Sequence, residues 1–208
     1  MVIWGGKENG INLHVGCGTV YLKGWLNVDY NGLSSKTNKK SLSANKTDIQ
    51  HYYKYTFNTV AFNEIKKRDI VLDLKADATH LPIASNSINR ILTVNFINHV
   101  RFQDFIPMMK DWQRILKPDG ELIIDVDDVV GMSQNVVNSR SIPELEKALR
   151  YLHCHSKTQF DSHLWGYTAE YLKYLLEPLG FNYAWRNDEF IHHDADYPRF
   201  LVAFKKLE

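Results

Sequence analysis

The residues whose types and spacing could do chemistry lie between Ile11 and Asp29. The apolar run Ile11–Val15 predicts a strand, the turn Gly16-Cys17-Gly18 interrupts it, and a second apolar run ends at Asp29. Glycine lets the backbone bend sharply and lets a ligand approach it without meeting a Cβ atom. A carboxylate at the end of the second strand can accept hydrogen bonds from a vicinal diol. Together these features predict a nucleoside pocket at the carboxyl edge of a parallel sheet.

The spacing of this motif argues against two common phosphate-binding patterns. A dinucleotide fingerprint has a third glycine, opens a full helix and places its acid about 20 residues further on. Here Val20 and Tyr21 follow Thr19, so the third glycine is missing, and Asp29 comes only 11 residues after Gly18. No Lys-Ser or Lys-Thr pair follows the glycines, which argues against a P-loop. The pocket therefore suits a nucleoside without a pyrophosphate.

These residues resemble the first two motifs of class I S-adenosylmethionine (SAM)-dependent methyltransferases. The chain reads Val15-Gly16-Cys17-Gly18 and then, after five residues, Gly24-Trp25-Leu26-Asn27-Val28-Asp29. It is most similar to a branch with the signature GCG…GW-N-VD. The resemblance implies that Gly16 to Gly18 pass under the methionine part of SAM, with Val15 in the same binding set, and that Asp29 binds the ribose hydroxyls. It covers most of residues 11–205, except 31–58 and 127–161.

Two further stretches match the same family more loosely. Asp77 and Ala78, before a Leu-Pro step, resemble its adenine-binding motif, in which the carboxylate accepts from the adenine amino group and the alanine amide donates to a ring nitrogen. Asp77 could instead cap a turn, and Asp73 is a competing acid if the register is shifted. Asn95 and His99 end the next strand, where the branch often reads HVLEH, and Asn95 is expected to contact SAM. His99 could act as a general base, because an unperturbed histidine titrates near pH 6.5, or it could be a hydrogen-bonded packing residue.

The second half of the chain carries two more family-like blocks. Residues 114–124 read RILKPDGELII, and residues 167–181 show a helix-to-strand pattern that ends in Gly-Phe. Ser141 and Thr168 are of the types that cap helices, and each precedes an apolar period that fits a helix. His163, just before the second of these helices, is expected to line the acceptor site and is the other candidate general base.

Three acids, Asp125, Asp127 and Asp128, follow the strand in the first of these blocks. They could bind a divalent metal, hold a substrate amine or hydroxyl, or be solvated. The later part of the chain is also rich in histidine, but no pair has C-x-x-C or H-E-x-x-H spacing. We therefore predict no metal site.

Composition sets the outer limits of the interpretation. The chain has 208 residues, of which 44% are hydrophobic and 24% are charged, as is typical of one soluble globular domain. A net charge of +1 makes nucleic acid an improbable partner. No apolar run approaches the roughly 18 residues of a membrane span, no signal-peptide pattern opens the chain, and two cysteines do not form a disulfide framework. We expect a cytoplasmic protein that does not enter the membrane.

The order of the apolar runs predicts an α/β fold. We expect a doubly wound, seven-stranded, mostly parallel sheet with an antiparallel last strand, in a single domain over residues 1–208. Residues 31–58 are rich in Ser, Asn, Thr and Lys and are interpreted as a loop. Because this segment leaves the sheet beside Asp29, it could be a lid over SAM or substrate, or a solvated insertion.

The resemblance implies a SAM-dependent methyltransferase that acts on an oxygen or nitrogen of a small-molecule or sugar acceptor and releases S-adenosylhomocysteine. Two other functions remain open from the sequence: a SAM- or nucleoside-binding module without catalysis, and an enzyme that uses a nicotinamide cofactor. The missing third glycine and the early acid disfavour the last of these. The sequence makes no prediction of the oligomeric state.

Overall fold

The computed structural model of the chain describes residues 10–47, 69–154, 162–187 and 198–207. Its strands are β1 (Ile11–Val15), β2 (Tyr21–Leu22), β3 (Leu26–Asp29), β4 (Leu33–Ser34), β5 (Lys46–Thr47), β6 (Val71–Leu72), β7 (Leu74–Lys75), β8 (Ile88–Val94), β9 (Leu116–Asp127), β10 (Phe181–Arg186) and β11 (Arg199–Lys206). Its helices are α1 (Lys39–Asn45), α2 (Phe102–Ile115), α3 (Val129–Asn138), α4 (Ile142–His153) and α5 (Ala169–Leu176).

Seven strands form the central sheet in the order β10-β11-β9-β8-β1-β3-β7. The strands β7, β3, β1, β8 and β9 pair in parallel, and β11 pairs antiparallel with both β9 and β10. The predicted fold class, a mostly parallel seven-stranded sheet with an antiparallel end, is confirmed. Because β11 runs against β9, its first residue, Arg199, pairs with Asp127 at the carboxyl end of the parallel strands.

The sheet has two differently covered faces, since neighbouring side chains on a strand point to opposite sides. The larger buried cluster includes Ile91, Leu122 and Val202, and it packs against the apolar sides of α2 and α5. The smaller cluster contains alternate residues of the same strands, such as Leu92 and Ile123. This pattern of continuous apolar runs is what a sheet buried on both faces requires.

Helix starts follow the predicted caps. The Ser141 hydroxyl accepts from the Glu144 N–H (3.4 Å) at the start of α4, and the Thr168 hydroxyl accepts from the Tyr171 N–H (3.1 Å) at the start of α5. Such hydroxyls satisfy backbone donors that have no partner within the helix. Within the described residues, no helix has the length and apolar content needed to cross a membrane.

The segment 31–58 was predicted to be a loop, and this was wrong for residues 33–47, which contain two strands and a helix. Strand β4 pairs in parallel with β6, and β5 pairs in parallel with β2, while α1 lies between β4 and β5. The Ser41 hydroxyl donates to Asp69 (2.6 Å), which holds α1 near the segment that leads into β6. Residues 48–58, with the rest of the predicted lid, lie outside the described residues, so the lid stays a prediction.

Two strand boundaries also differ from the expected ones. The predicted strand at residues 69–74 is divided into β6 and β7 at Asp73, whose carboxylate accepts from the Asn27 N–H (2.9 Å) and from the Tyr21 hydroxyl (2.7 Å). Strand β9 begins at Leu116, immediately after α2, rather than at Glu121.

Candidate functional site

The glycine turn and Asp29 lie together at the carboxyl edge of the sheet. Asp29 Oδ2 accepts from the Gly18 N–H (2.9 Å) and Oδ1 accepts from the Tyr30 N–H (2.8 Å). The Gly16 N–H donates to the Val28 carbonyl (3.0 Å), so the turn after β1 is bound to the end of β3. These hydrogen bonds fix the carboxylate beside the turn. Each oxygen accepts one backbone N–H and has a further lone pair.

The two glycines of the turn are required for different reasons. Gly16 and Gly18 have φ values of +68° and +51°, in the left-handed region that glycine enters without steric cost. A Cβ on Gly16 would lie 2.5 Å from the Phe96 ring, whereas a Cβ on Gly18 would meet no atom within 4 Å. The turn therefore packs tightly on its inner side and leaves open space at Gly18.

A cleft of about 530 Å³ opens above this edge. Five residues that were predicted to bind the cofactor line this cleft: Val15, Gly16, Asp29, Asp77 and Ala78. His99, a candidate general base, lines it as well. The other described residues of its wall are Val28, Tyr30, Ala76, Thr79, Phe96, Val100, Arg101, Asp104 and Leu164. The volume falls within the range of pockets that enclose small molecules.

Asp77 and Ala78 are held by bonds of their own on the cleft wall. Asp77 Oδ1 accepts from the Thr79 N–H (2.9 Å) and from its hydroxyl (2.8 Å), so the residue caps a turn. The Trp112 indole N–H donates to the Ala78 carbonyl (2.9 Å) from the buried side of the segment. The backbone that carries Ala78 is thereby fixed against α2. Asp73, the competing acid, is not among the residues of the cleft wall; its Oδ1 also accepts from Ser35 (2.6 Å).

Three residues that were predicted to bind the cofactor, Cys17, Gly18 and Asn95, are not among the residues of the cleft wall. Cys17 is buried, and its Sγ lies 3.9 Å from the Val71 carbonyl and 3.8 Å from the Gly18 carbonyl. Burial, with the negative charge of Asp29, raises the pKa of its thiol well above the ordinary value. Asn95 has a positive φ of 51°, and its Oδ1 accepts from Arg199, on the side of the acid cluster.

His99 and His163, the two candidate bases, lie next to each other with ring centroids 4.9 Å apart. His99 Nδ1 lies 3.1 Å from the Ser162 carbonyl, and His163 Nδ1 lies 3.0 Å from the Leu152 carbonyl. Since a carbonyl only accepts, each Nδ1 carries the proton, and the neutral ring has its lone pair on Nε2. Burial, the first cause, and the nearby Arg199 charge lower the pKa of His163 below its ordinary value.

A second cavity, of about 350 Å³, lies on the other side of Leu164. It is bounded by α3, the end of α4 and the segment 163–166, and His163 lines it, whereas His99 lines the cleft. Leu164 lines both spaces, and its N–H donates to the Asn98 carbonyl (2.7 Å). The structure thus places the two histidines at the boundary between two adjoining spaces.

Asp125 and Asp127, in the last part of β9, are buried rather than solvated, whereas Asp128, directly after the strand, is half-buried. Arg199 Nε donates to Asp125 Oδ1 (3.0 Å), and Arg199 Nη1 donates to Asp127 Oδ1 (2.5 Å). Asp127 Oδ2 accepts from the Asn98 side-chain amide (3.0 Å) and lies 3.5 Å from His163 Nε2. Asp128 instead caps α3 by accepting from the Val130 N–H (3.0 Å). Among the described residues, no group of three or more His, Cys, Asp or Glu side chains is placed to hold a metal ion.

Sequence reasoning missed several residues of the cleft wall. Tyr30 is exposed and follows directly after Asp29, and its position beside the acid was the available signal. Arg101 and Asp104 form an exposed pair (Nε to Oδ2, 2.8 Å) at the start of α2, and no spacing rule connects them to the glycine turn.

A family model described as a methyltransferase domain matches residues 13–124, a little over half of the chain. The matched part contains the last three residues of β1, the glycine turn, Asp29 and every residue of the cleft wall except Leu164. No curated protein sequence matches this chain.

Solved structures resemble the whole chain at low identity. A SAM-dependent methyltransferase from Methanosarcina mazei is 17% identical, with a TM-score of 0.56, over 97% of this chain and 94% of its own. A SAM-dependent methyltransferase from Mesorhizobium loti is 14% identical, with a TM-score of 0.55, over 94% of this chain and 90% of its own. The N-methyltransferase NodS from Bradyrhizobium japonicum is 9% identical, with a TM-score of 0.50, over 96% and 86%. At these identities the likeness concerns the fold.

Proposed function

Because this chain belongs to the methyltransferase domain family and is a SAM-dependent methyltransferase, we propose that it transfers the methyl group to an oxygen or nitrogen atom of a small-molecule or sugar acceptor. The observation that carries the site assignment is the Asp29 carboxylate, bound to the Gly18 amide at the edge of the 530 Å³ cleft.

The residues of the cleft fit an adenosyl group. Each oxygen of Asp29 accepts one backbone N–H and has a further lone pair, so the carboxylate can accept both hydroxyls of a ribose. The Tyr30 ring lies beside it and offers a flat apolar face to a base. Asp77 and the Ala78 backbone lie on the same wall and can contact the edge of that base.

The sulfonium of bound SAM supplies a methyl carbon that is electrophilic without a metal. The chain's own contribution is to hold the acceptor atom in line with that carbon and to exclude water. Positioning of this kind can account for roughly 7–11 kcal/mol of barrier reduction. The fixed backbone around Asp29 and Ala78 serves this end, because both are bonded to neighbouring segments as well as exposed to the cleft.

His99 is the residue that we propose as general base. It lines the cleft, and the Ser162 carbonyl fixes the proton on Nδ1, so that Nε2 carries the lone pair of the neutral ring. His163 lies behind it, and its lowered pKa keeps that ring uncharged at neutral pH. An uncharged neighbour does not oppose the uptake of a proton by His99 through charge repulsion.

Two observations support a small acceptor. The branch resemblance in GCG…GW-N-VD implies enzymes that act on small molecules or on sugars of surface glycans, and NodS, a structural neighbour, is named an N-methyltransferase. The second cavity, which adjoins the cleft at Leu164, is of a size for a molecule of that class. The branch itself and a cytoplasmic location remain predictions.

Two measurements test the proposal. Calorimetric titration with SAM, S-adenosylhomocysteine, NAD and ATP should show binding of the first two only, and binding of NAD without SAM would overturn the site assignment. Incubation of the full chain with methyl-deuterated SAM and pools of sugars, amines and alcohols should then give labelled products in mass spectrometry. Nuclear magnetic resonance locates the label, and a methyl group on carbon would contradict transfer to oxygen or nitrogen.

A further inference from the structure

Two exposed aromatic rings stack on each other beside the second cavity. The rings of Phe102 and Trp165 have centroids 4.4 Å apart and planes 25° apart, and the two residues are 38% and 40% exposed. Because Phe102 covers one face of the indole, the surface of Trp165 that lines the cavity is its other face or its edge. An exposed aromatic pair at a cavity indicates a binding surface, because exposing such large apolar side chains to water is unfavourable.

The backbone holds the indole in a fixed position. The Leu164 and Trp165 N–H groups both donate to the Asn98 carbonyl (2.7 and 3.2 Å), in the 3₁₀ turn that follows β8. On the other side, the Val129 N–H, at the start of α3, donates to the Tyr167 carbonyl (3.0 Å). A ring that is already fixed loses little conformational entropy when a ligand packs on it.

The rest of the cavity wall combines apolar side chains, such as Met132, with hydrogen-bonding groups of both kinds. The Ser133 hydroxyl donates to the Val129 carbonyl (2.8 Å), so its oxygen can accept from a ligand. His163 Nε2 carries the lone pair of the neutral ring, while the Trp165 indole N–H can only donate. A matching ligand therefore has an apolar face and hydroxyl groups, which both donate and accept.

We propose that the second cavity binds a sugar ring of the methyl acceptor, with the apolar C–H face of that ring stacked on Trp165. This inference rests on the proposed function, because it assigns the acceptor of the same enzyme. Hydroxyl groups around the edge of a sugar ring match the polar atoms of the wall. A bare aromatic ring lacks such groups, and an open-chain polyol has no flat face.

The size and position of the cavity agree with one ring that is itself the acceptor. Its volume of about 350 Å³ is at the lower end of the range for small-molecule pockets, which favours a single ring over an oligosaccharide. Leu164 lines both spaces, so a ring at Trp165 can extend one hydroxyl into the cleft, where His99 lies.

Matched ligands test whether the cavity requires a sugar ring. The full chain is saturated with S-adenosylhomocysteine and titrated by saturation-transfer nuclear magnetic resonance. The ligands are the methyl pyranosides of D-glucose, D-galactose and D-mannose, their open-chain partners D-glucitol, galactitol and D-mannitol, and catechol as an aromatic ring. We expect at least one glycoside to bind about tenfold more tightly than its open-chain partner and than catechol. If no glycoside shows this preference while S-adenosylhomocysteine binds, the inference is wrong.

Substitutions of exposed aromatic residues locate the binding. Trp165→Ala should weaken glycoside binding about tenfold, and Trp165→Phe, which keeps a flat ring, should weaken it less. Tyr174→Ala removes a ring that is 72% exposed on α5 and lines neither space, and it should leave glycoside binding unchanged. Unaltered glycoside binding in Trp165→Ala would show that the sugar binds elsewhere and would overturn the inference.

A second substitution gives an answer if Trp165→Ala does not fold. Ser133 lies on α3 at the exposed rim of the cavity, so Ser133→Phe fills the cavity and leaves the aromatic pair intact. It should weaken glycoside binding about tenfold and leave the dissociation constant of S-adenosylhomocysteine unchanged. Glycoside binding as tight as in the parent chain would contradict the inference.

Methyl transfer distinguishes this inference from the proposed function. With the glycoside that binds, Trp165→Ala should raise KM about tenfold and leave kcat nearly unchanged, because it removes binding that is equal in the ground state and the transition state. If the chain binds SAM and methylates only acceptors without a sugar ring, the inference fails and the proposed function stands. If it binds neither SAM nor S-adenosylhomocysteine, the proposed function itself fails.

Discussion

Replacement of Asp29 by asparagine isolates the role of its charge in cofactor binding. In the structure, the two carboxylate oxygens accept from the Gly18 and Tyr30 amides. An asparagine side chain keeps one acceptor oxygen and replaces the other with an NH₂ group. One of the two backbone donors therefore loses its partner, and the ribose hydroxyls lose a charged acceptor.

The expected loss is of moderate size. Hydrogen bonds to charged groups contribute about 1–3 kcal/mol when they are removed. Asp29 is only half-buried, so water can partly solvate the freed amides, and the effect should stay within this range. That free energy corresponds to a rise in the dissociation constant of SAM of roughly 5- to 150-fold.

Isothermal titration calorimetry measures this change against a matched variant. Asp128→Asn makes the same substitution at a residue that lines neither cavity and caps α3, where asparagine caps as well as aspartate does. We expect Asp128→Asn to bind SAM as the parent chain does. If Asp29→Asn binds SAM with an unchanged constant while its circular dichroism spectrum is intact, Asp29 does not belong to the cofactor site.

Three further predictions follow from single contacts. His99→Gln should lower kcat by roughly 100-fold or more with SAM affinity within threefold, measured by calorimetry and labelled-methyl transfer, and an unchanged kcat would exclude a general-base role. His14 is buried against Asn27, and burial lowers its pKa to about 4. The unfolded state therefore binds more protons than the folded state between pH 6.5 and 4, and about 3 kcal/mol of unfolding free energy should be lost as the pH falls through this window. Urea unfolding should show a smaller loss in His14→Leu, and equal losses in both proteins would contradict the assignment. Trp112→Phe leaves the buried Ala78 carbonyl unpaired and should cost roughly 1–3 kcal/mol of unfolding free energy, with weaker SAM binding; unaltered urea midpoints would refute it.

The features that the sequence predicted well depend on local spacing. The glycine turn, the position of Asp29 and the caps at Ser141 and Thr168 are each defined within a few residues. The order of apolar runs was enough to predict the sheet and its antiparallel end, because buried strands must be apolar on both faces. Features of this kind can be predicted without knowing which distant residues they contact.

Interactions between distant segments could not be predicted in the same way. Asn95 was expected at the cofactor but accepts from Arg199, which is more than a hundred residues away in the chain. From the sequence, Asp125 and Asp127 could have been solvated. In the structure, the register of β11 against β9 places the Arg199 guanidinium within ion-pair distance of both. Polar residues at the end of a strand have several partners within reach, and only the pairing of the strands decides among them.

The contribution of Arg199 has a consequence for the order in which the enzyme is built on the ribosome. Apart from Leu164, the 530 Å³ cleft is lined by residues that are synthesised before Ile106, while Arg199 begins the last described strand. These residues are therefore all synthesised before the guanidinium that Asp125 and Asp127 share. The ion pairs of Arg199 with Asp125 and Asp127 form only when β11 docks against β9.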